Sequence, residues 1–262
     1  MLSLNEFFCV LDKNAPVGYS QKYIELGDYD NSGIIVKSSD RVEKVLFSLD
    51  LSSSVIKRAK ALKVDTIVTH HPAIYNPVKS LDVFGENRDI LSAVKMGLNV
   101  VSMHLNLDVA DGGIDDTLAS KLGGKNYKIL FPILEGVGYG REFKVEPVTF
   151  NEFIKNAKKE LGTRKVVAYG KKNAVIKAGA SFCGSGASCA LKYLAGGGGA
   201  DVIVSSDVPH HAIKEVVESG KCLLLLTHYS AENVGLKAYY EKIKKQTENK
   251  VECYYFSDER FL

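Results

Sequence analysis

Runs of apolar, β-branched residues alternate along most of the chain with segments whose apolar positions recur every three to four residues. The runs predict buried strands, and the recurring segments predict amphipathic helices. VEKVLFSLDL (42–51) reads as a strand, and SSVIKRAKALK (53–63) as a helix capped by Ser52 or Ser53. A buried strand, DTIVTHHP (65–72), a long loop, a helix over 87–97 and a further strand, NVVSMHLNLD (99–108), follow. The later half uses the same grammar. AVIKAGASFCG (174–184) is a strand, ASCALKYLA (187–195) a helix and ADVIVSSDVP (200–209) a buried strand. HHAIKEVVESG (210–220) is a helix, KCLLLLTHYSAE (221–232) a strand, and 233–246 the final helix. Continuous apolar strands separated by helices predict sheets covered by helices.

The two halves match residue by residue. VDTIVTHHP lies opposite ADVIVSSDVP, and MGLNVVSMHLNLD opposite SGKCLLLLTHYSAE, which sets His104 against His228 and Asp108 against Glu232. The longer spacing in the first half corresponds to the extra loop YNPVKSLDVFGENR (75–88). The fold class expected is therefore α/β, with two similar interlinked units from an internal duplication and sheets flanked by helices. The division is 1–125 for the first unit and 126–262 for the second, which opens with a hairpin or linker region over 128–150 and a helix over 151–161.

Composition narrows the classes. At 262 residues the chain is long enough to bury real cores. Its 34 basic against 31 acidic residues leave a formal charge of only +3, which argues against nucleic acid as the main partner. No apolar stretch approaches the roughly 20 residues of a membrane helix, and MLSLNEFF does not read as a secretory signal. Cys9, Cys183, Cys189, Cys222 and Cys253 are odd in number and lack a CxxC pair, as expected of reduced thiols in a cytoplasm.

Four of the six histidines, His70, His71, His104 and His228, fall at or just past predicted strand ends, where open α/β sheets place their ligands. Asp108 and Glu232 also follow strand ends. His228 and Glu232 are four apart, so one turn of helix sets them on the same side. Imidazoles and carboxylates together make a ligand set suited to two divalent ions such as zinc, manganese or iron. Each residue also has a plainer role: His104 orients Asp108 or closes the turn, and Asp108 alone is a helix cap. His210 and His211 open a helix after Pro209; His211 is either a proton donor to substrate or a structural helix-start residue. CGSGAS (183–188) lacks dinucleotide-binding and P-loop spacing and reads first as a tight turn, with phosphate binding the other reading. GGGG (196–199) reads as a flexible helix end, DNSG (30–33) as a turn, and Cys183 and Cys189 as buried small apolar residues.

DNSGI (30–34), IVTHHPAIY (67–75), HLNLDVADGGIDDTLA (104–119) and THYSAE (227–232) resemble, in order, the serial motifs of the NIF-three-like dinuclear metal-centre family, whose members are often labelled GTP cyclohydrolase 1 type 2 homologues. The resemblance covers essentially the whole chain, without the long form's inserted domain. It implies metal ligation by His70, His71, Asp108, His228 and Glu232. Glu232 would bridge both ions, with His71 and Asp108 on one and His70 and His228 on the other. HLNLD stands for the usual HTNLD and THYSAE for the usual GHYxxE; neither change removes a ligand.

The resemblance further implies a toroidal homohexamer, a trimer of dimers, and hydrolysis of a small molecule such as a nucleotide, with water attacking the purine ring of GTP and formate leaving. A metal-dependent phosphoesterase or amidohydrolase would use the same ligands. A metal-holding scaffold or regulatory protein without turnover is the reading from a different class.

Overall fold

The strand–helix alternation read at 42–108 forms the heart of a first compact unit, residues 1–111 and 236–257; residues 112–235 and 258–262 form the second. The structure, a computed structural model, describes residues 1–262.

The first unit opens with β1 (Leu2–Ser3) and α1 (Leu4–Asn14). Ser3 and Glu6 form a reciprocal capping box at the start of α1. Then come α2 (Val17–Glu25), β2 (Gly33–Val36), β3 (Arg41–Val42), β4 (Lys44–Ser48), α3 (Ser53–Leu62), β5 (Thr66–Thr69), α4 (Arg88–Lys95), β6 (Asn99–Ser102) and the single-turn α5 (Leu105–Val109). The Ser52 hydroxyl accepts the Val55 amide at the start of α3, and Lys63 ends that helix in the left-handed region at φ 53°. Leu46, Ile67 and Val100 from three adjacent strands pack with Val55, Ala59, Ile90 and Ala93 of α3 and α4.

The second unit contains α6 (Ile114–Lys121), β7 (Lys125–Leu134), β8 (Val137–Thr149), α7 (Phe150–Glu160), β9 (Val166–Tyr169), β10 (Val175–Ser181), α8 (Ala187–Ala195), β11 (Val202–Ser205), α9 (His210–Glu218), β12 (Cys222–Leu226) and the start of α10 (His228–Gln246). Its sheet runs β7-β8-β10-β11-β12-β9, with β10, β11 and β12 parallel and the others antiparallel to their neighbours. The region expected as a hairpin or linker is the β7–β8 hairpin, built into this sheet through β8 and β10. Thr149 and Glu152 cap α7 with a second capping box.

The end of α10 and β13 (Glu252–Tyr255) return to the first unit. There β13 pairs in parallel with β4, completing the order β13-β4-β5-β6-β2, parallel except for β2. Each unit thus carries three sequential parallel strands joined by helices, β4-β5-β6 with α3 and α4, and β10-β11-β12 with α8 and α9. Two similar α/β units are present, as the repeat predicts.

Two predicted strands end earlier than expected. Residues 99–108 divide into β6 and α5, and 221–232 into β12 and the start of α10. Pairing with the preceding parallel strand stops where that strand stops, at Thr69 opposite Ser102 and at Ser205 opposite Leu225, and β9 carries the second ladder only one residue further, to Leu226. Backbone amides beyond those points need other acceptors. His104 O takes the amides of Leu107 and Asp108, and the Thr227 hydroxyl takes the Ser230 amide. No helix is long and apolar enough to cross a membrane.

Candidate metal centre

In the first unit, β5 delivers His70 and His71 just past its carboxyl end. The His70 amide donates to Leu49 O at 3.1 Å, and its ring Nδ1 lies 2.8 Å from Met103 O. A carbonyl only accepts, so Nδ1 carries the proton. Nε2 faces Asp108 Oδ1 at 3.5 Å, with His70 fully buried and Asp108 nearly so. A neutral ring in this tautomer turns a lone pair toward a carboxylate in a water-poor setting. That approach is unfavourable unless a cation or a second ring proton offsets it. The donor set therefore fits a divalent ion.

The other imidazoles are oriented the same way. His71 Nδ1 lies 2.6 Å from Asp50 Oδ1, and His104 Nδ1 lies 2.6 Å from Asp30 Oδ1. Possible ligand atoms of His70, His71 and His104 all lie within 4.8 Å of one another. Burial tends to raise the Asp30 pKa, but hydrogen bonds from His104, Ser20 and Ser32 outweigh it and hold the carboxyl below its ordinary value. Ser32 Oγ donates to Asp30 at 2.6 Å and accepts the His104 amide at 3.0 Å. Asp108 is set by the turn of α5, whose first carbonyl, His104 O, accepts its amide at 3.1 Å.

In the second unit, His228 opens α10 and Glu232 stands one turn later. His228 Nε2 and Glu232 Oε1 are 3.0 Å apart, the carboxylate being 2% exposed. His228 Nδ1 pairs with Asp207. Glu232 is also crowded by Gly184, which has φ +58°: a Cβ there would lie 2.5 Å from Glu232 Oε1 and 3.4 Å from His228 Nε2. Only glycine meets both constraints without strain. Gly184→Ala is expected to leave the far-ultraviolet circular dichroism spectrum unchanged and to weaken metal binding about tenfold or more. Metal content measured across a range of metal concentrations checks this; wild-type affinity in the variant would mean that the turn yields instead.

The structure thus gathers His70, His71, His104 and Asp108 within the first unit, and His228 with Glu232 within the second. His211 is exposed at the start of α9, beside His210. CGSGAS precedes α8 as a turn held by Asp115 and Ser206: the Cys183 amide donates to Asp115 Oδ1 at 3.1 Å, and Ser206 Oγ donates to Gly184 O at 2.5 Å. All five cysteines are free thiols.

Sequence reasoning missed Asp50 and Asp207, and saw Asp30 only as part of a turn. A regularity links the first two. Asp50 lies two residues past β4, the neighbour of the strand that delivers His71, and Asp207 lies two past β11, the neighbour of the strand before His228. A carboxylate behind His71 and another behind His228 fix the ring tautomer and raise its basicity, the usual supporting shell of a metal site.

A sequence profile of the Duf34/NIF3 (NGG1p interacting factor 3) family matches residues 3–260. A Clostridium perfringens protein named GTP cyclohydrolase 1 type 2 homolog is 30% identical over 260 residues, covering 96% of this chain and 95% of its own. Among solved structures, reduced HcgD from Methanocaldococcus jannaschii superposes with a TM-score of 0.80 at 28% identity, over 98% of each chain. A Bacillus cereus protein related to NIF3 shares the fold, with a TM-score of 0.88 at 17% identity over 98% of this chain and 97% of its own.

Proposed function

The chain belongs to the Duf34/NIF3 family, and on that footing we propose that it is a hydrolase built around two divalent metal ions. The residues that would hold them are those the family motifs name, His70, His71, Asp108, His228 and Glu232, with Glu232 the one that would serve both ions. One observation carries the reading: three of these imidazoles have Nδ1 committed to a carbonyl or carboxylate, and two of them turn Nε2 toward a carboxylate. That is how histidine is prepared to give its Nε2 lone pair to a metal.

Two such ions supply Lewis-acid activation of water near neutral pH and need no serine or cysteine nucleophile. The residues supply the rest. Asp50, Asp207 and Met103 O hold the rings in one tautomer. His104, with Nδ1 held by buried Asp30, has Nε2 free of that bond and takes or returns a proton beside the ligand cluster. His211, exposed at the start of α9, is the second proposed proton donor.

Following the name of its Clostridium relative, the proposed substrate is GTP. The carbon between the two imidazole-ring nitrogens leaves as formate once both of its C–N bonds have been hydrolysed. A toroidal homohexamer, the assembly implied by the family motifs, is part of the proposal and is checked by light scattering.

The test starts with metal per chain, by mass spectrometry on protein purified without chelators or a His tag. Formate release from GTP follows. About two ions per chain and formate from GTP are expected. A wild type left empty by metal-replete buffer overturns the metal centre. A metal-loaded protein that releases phosphate and no formate overturns the cyclohydrolase chemistry and leaves a phosphoesterase.

A further inference from the structure

Beside the histidine cluster of the first unit stand two tyrosines that the core does not explain. Tyr29 is 44% exposed and Tyr75 is 46% exposed, yet their rings meet edge to face with centroids 5.3 Å apart. Tyr75 also meets the His104 ring edge to face at 6.1 Å, and His104 lies 5.2 Å from His70 and 5.8 Å from His71. An aromatic row thus runs from solvent to the ligand rings.

The backbone that presents it is fixed residue by residue. Asp30 is tied to the His104 ring, Asn31 Nδ2 donates to Ile74 O at 2.7 Å, and Ser32 Oγ accepts the His104 amide. Asn31 therefore binds the segment after Tyr29 to the residue before Tyr75. Side chains this exposed add little to stability. Holding two of them in one place next to a catalytic cluster costs conformational freedom without burying much area. Preorganised aromatic faces suit a planar ligand, because every heteroaromatic base has a π-face to stack.

We propose that Tyr29 and Tyr75 form a stacking platform for a planar heteroaromatic ring of the substrate, one tyrosine stacking on its face and the other meeting its edge, placed so that the ring reaches the histidine cluster. This rests on the hydrolase reading above and assigns the two side chains that would hold the base of its nucleotide substrate. Such a platform is tolerant of which base it holds, so it contributes affinity for the ring rather than discrimination among purines.

The test is calorimetric titration of the metal-replete full chain with GTP and, separately, with tripolyphosphate, which carries the phosphates and no base. The wild type is expected to bind GTP about tenfold more tightly than tripolyphosphate. Tyr29→Ala/Tyr75→Ala should bring the two ligands to roughly equal affinity, with tripolyphosphate binding and metal content unchanged, and Tyr75→Phe should keep the wild-type preference. A double variant that still prefers GTP overturns the platform, as does a wild type that binds both ligands equally or neither. Failure of the hydrolase reading shows separately, in metal content and formate release.

Discussion

Glu232→Ala is expected to leave the chain folded and nearly metal-free, whereas His228→Ala is expected to keep about one of two ions. The two residues are four apart on α10, with Nε2 and Oε1 3.0 Å from each other, yet they do unequal work on the proposed ligand set. A shared carboxylate neutralises two cations at once. Without it, two dications held by the remaining ligands would repel each other with no equivalent anion to offset them. Removing one imidazole takes away a single neutral donor. Glu232 is buried, so a Glu232→Gln variant, which keeps the volume, separates loss of charge from loss of packing. Both Glu232 variants should lose the ions. Metal content equal to wild type in Glu232→Gln would show that the carboxylate does not bridge, even if Glu232→Ala were unstable.

The parts of the candidate centre that could be read from the sequence are those whose spacing carries information. HHP ends an apolar run, and the two residue pairs spaced four apart recur in matching halves, so His70, His71, Asp108, His228 and Glu232 stood out against the pattern around them. Asp50 and Asp207 did not. A lone aspartate after a strand is an ordinary turn residue, and its use becomes visible only when the neighbouring strand brings a histidine to it. The strand ends at Ser102 and Leu226 were misplaced for a related reason: apolar residues such as Leu105 and Leu107 continue the pattern, while strand length is set by the partner's end. The return of β13 to pair with β4 is a non-local choice that no local pattern announces. The two similar units were legible because both halves need the same buried parallel strands.

Arg141→Met is expected to cost about 3–5 kcal/mol of unfolding free energy, the usual penalty for removing one partner of a buried ion pair. Arg141 lies in β8 and is 1% exposed. Its Nε donates to Asp116 Oδ1 at 2.6 Å, and its Nη1 donates to Gly138 O at 2.7 Å and Gly140 O at 3.1 Å, with Asp115 at 3.8 Å. Asp115 in turn accepts the amides of Gly140 at 2.6 Å and Cys183 at 3.1 Å. Burial pushes the Asp115 carboxyl up to about 6, against the pull of Arg141 and those two amides. The sign of the pH dependence follows. A folded-state pKa above the unfolded one means that stability from this group is present in acid and is lost as pH rises through about 6. Without Arg141 the folded pKa rises further, so the variant's native state holds a proton that the wild type has already released. The stability gap between them should therefore widen as pH rises above about 6 and level off at its smallest below it. Urea unfolding at pH 5 and pH 8 measures it; a gap independent of pH would mean that Arg141 does not act through the protonation of Asp115. The same change reaches the proposed metal ligands, because Asp115 anchors Cys183, and Gly184 beside it lies against Glu232. A folded Arg141→Met chain should accordingly bind metal more weakly at pH 8 than the wild type does, through the turn rather than through any lost ligand.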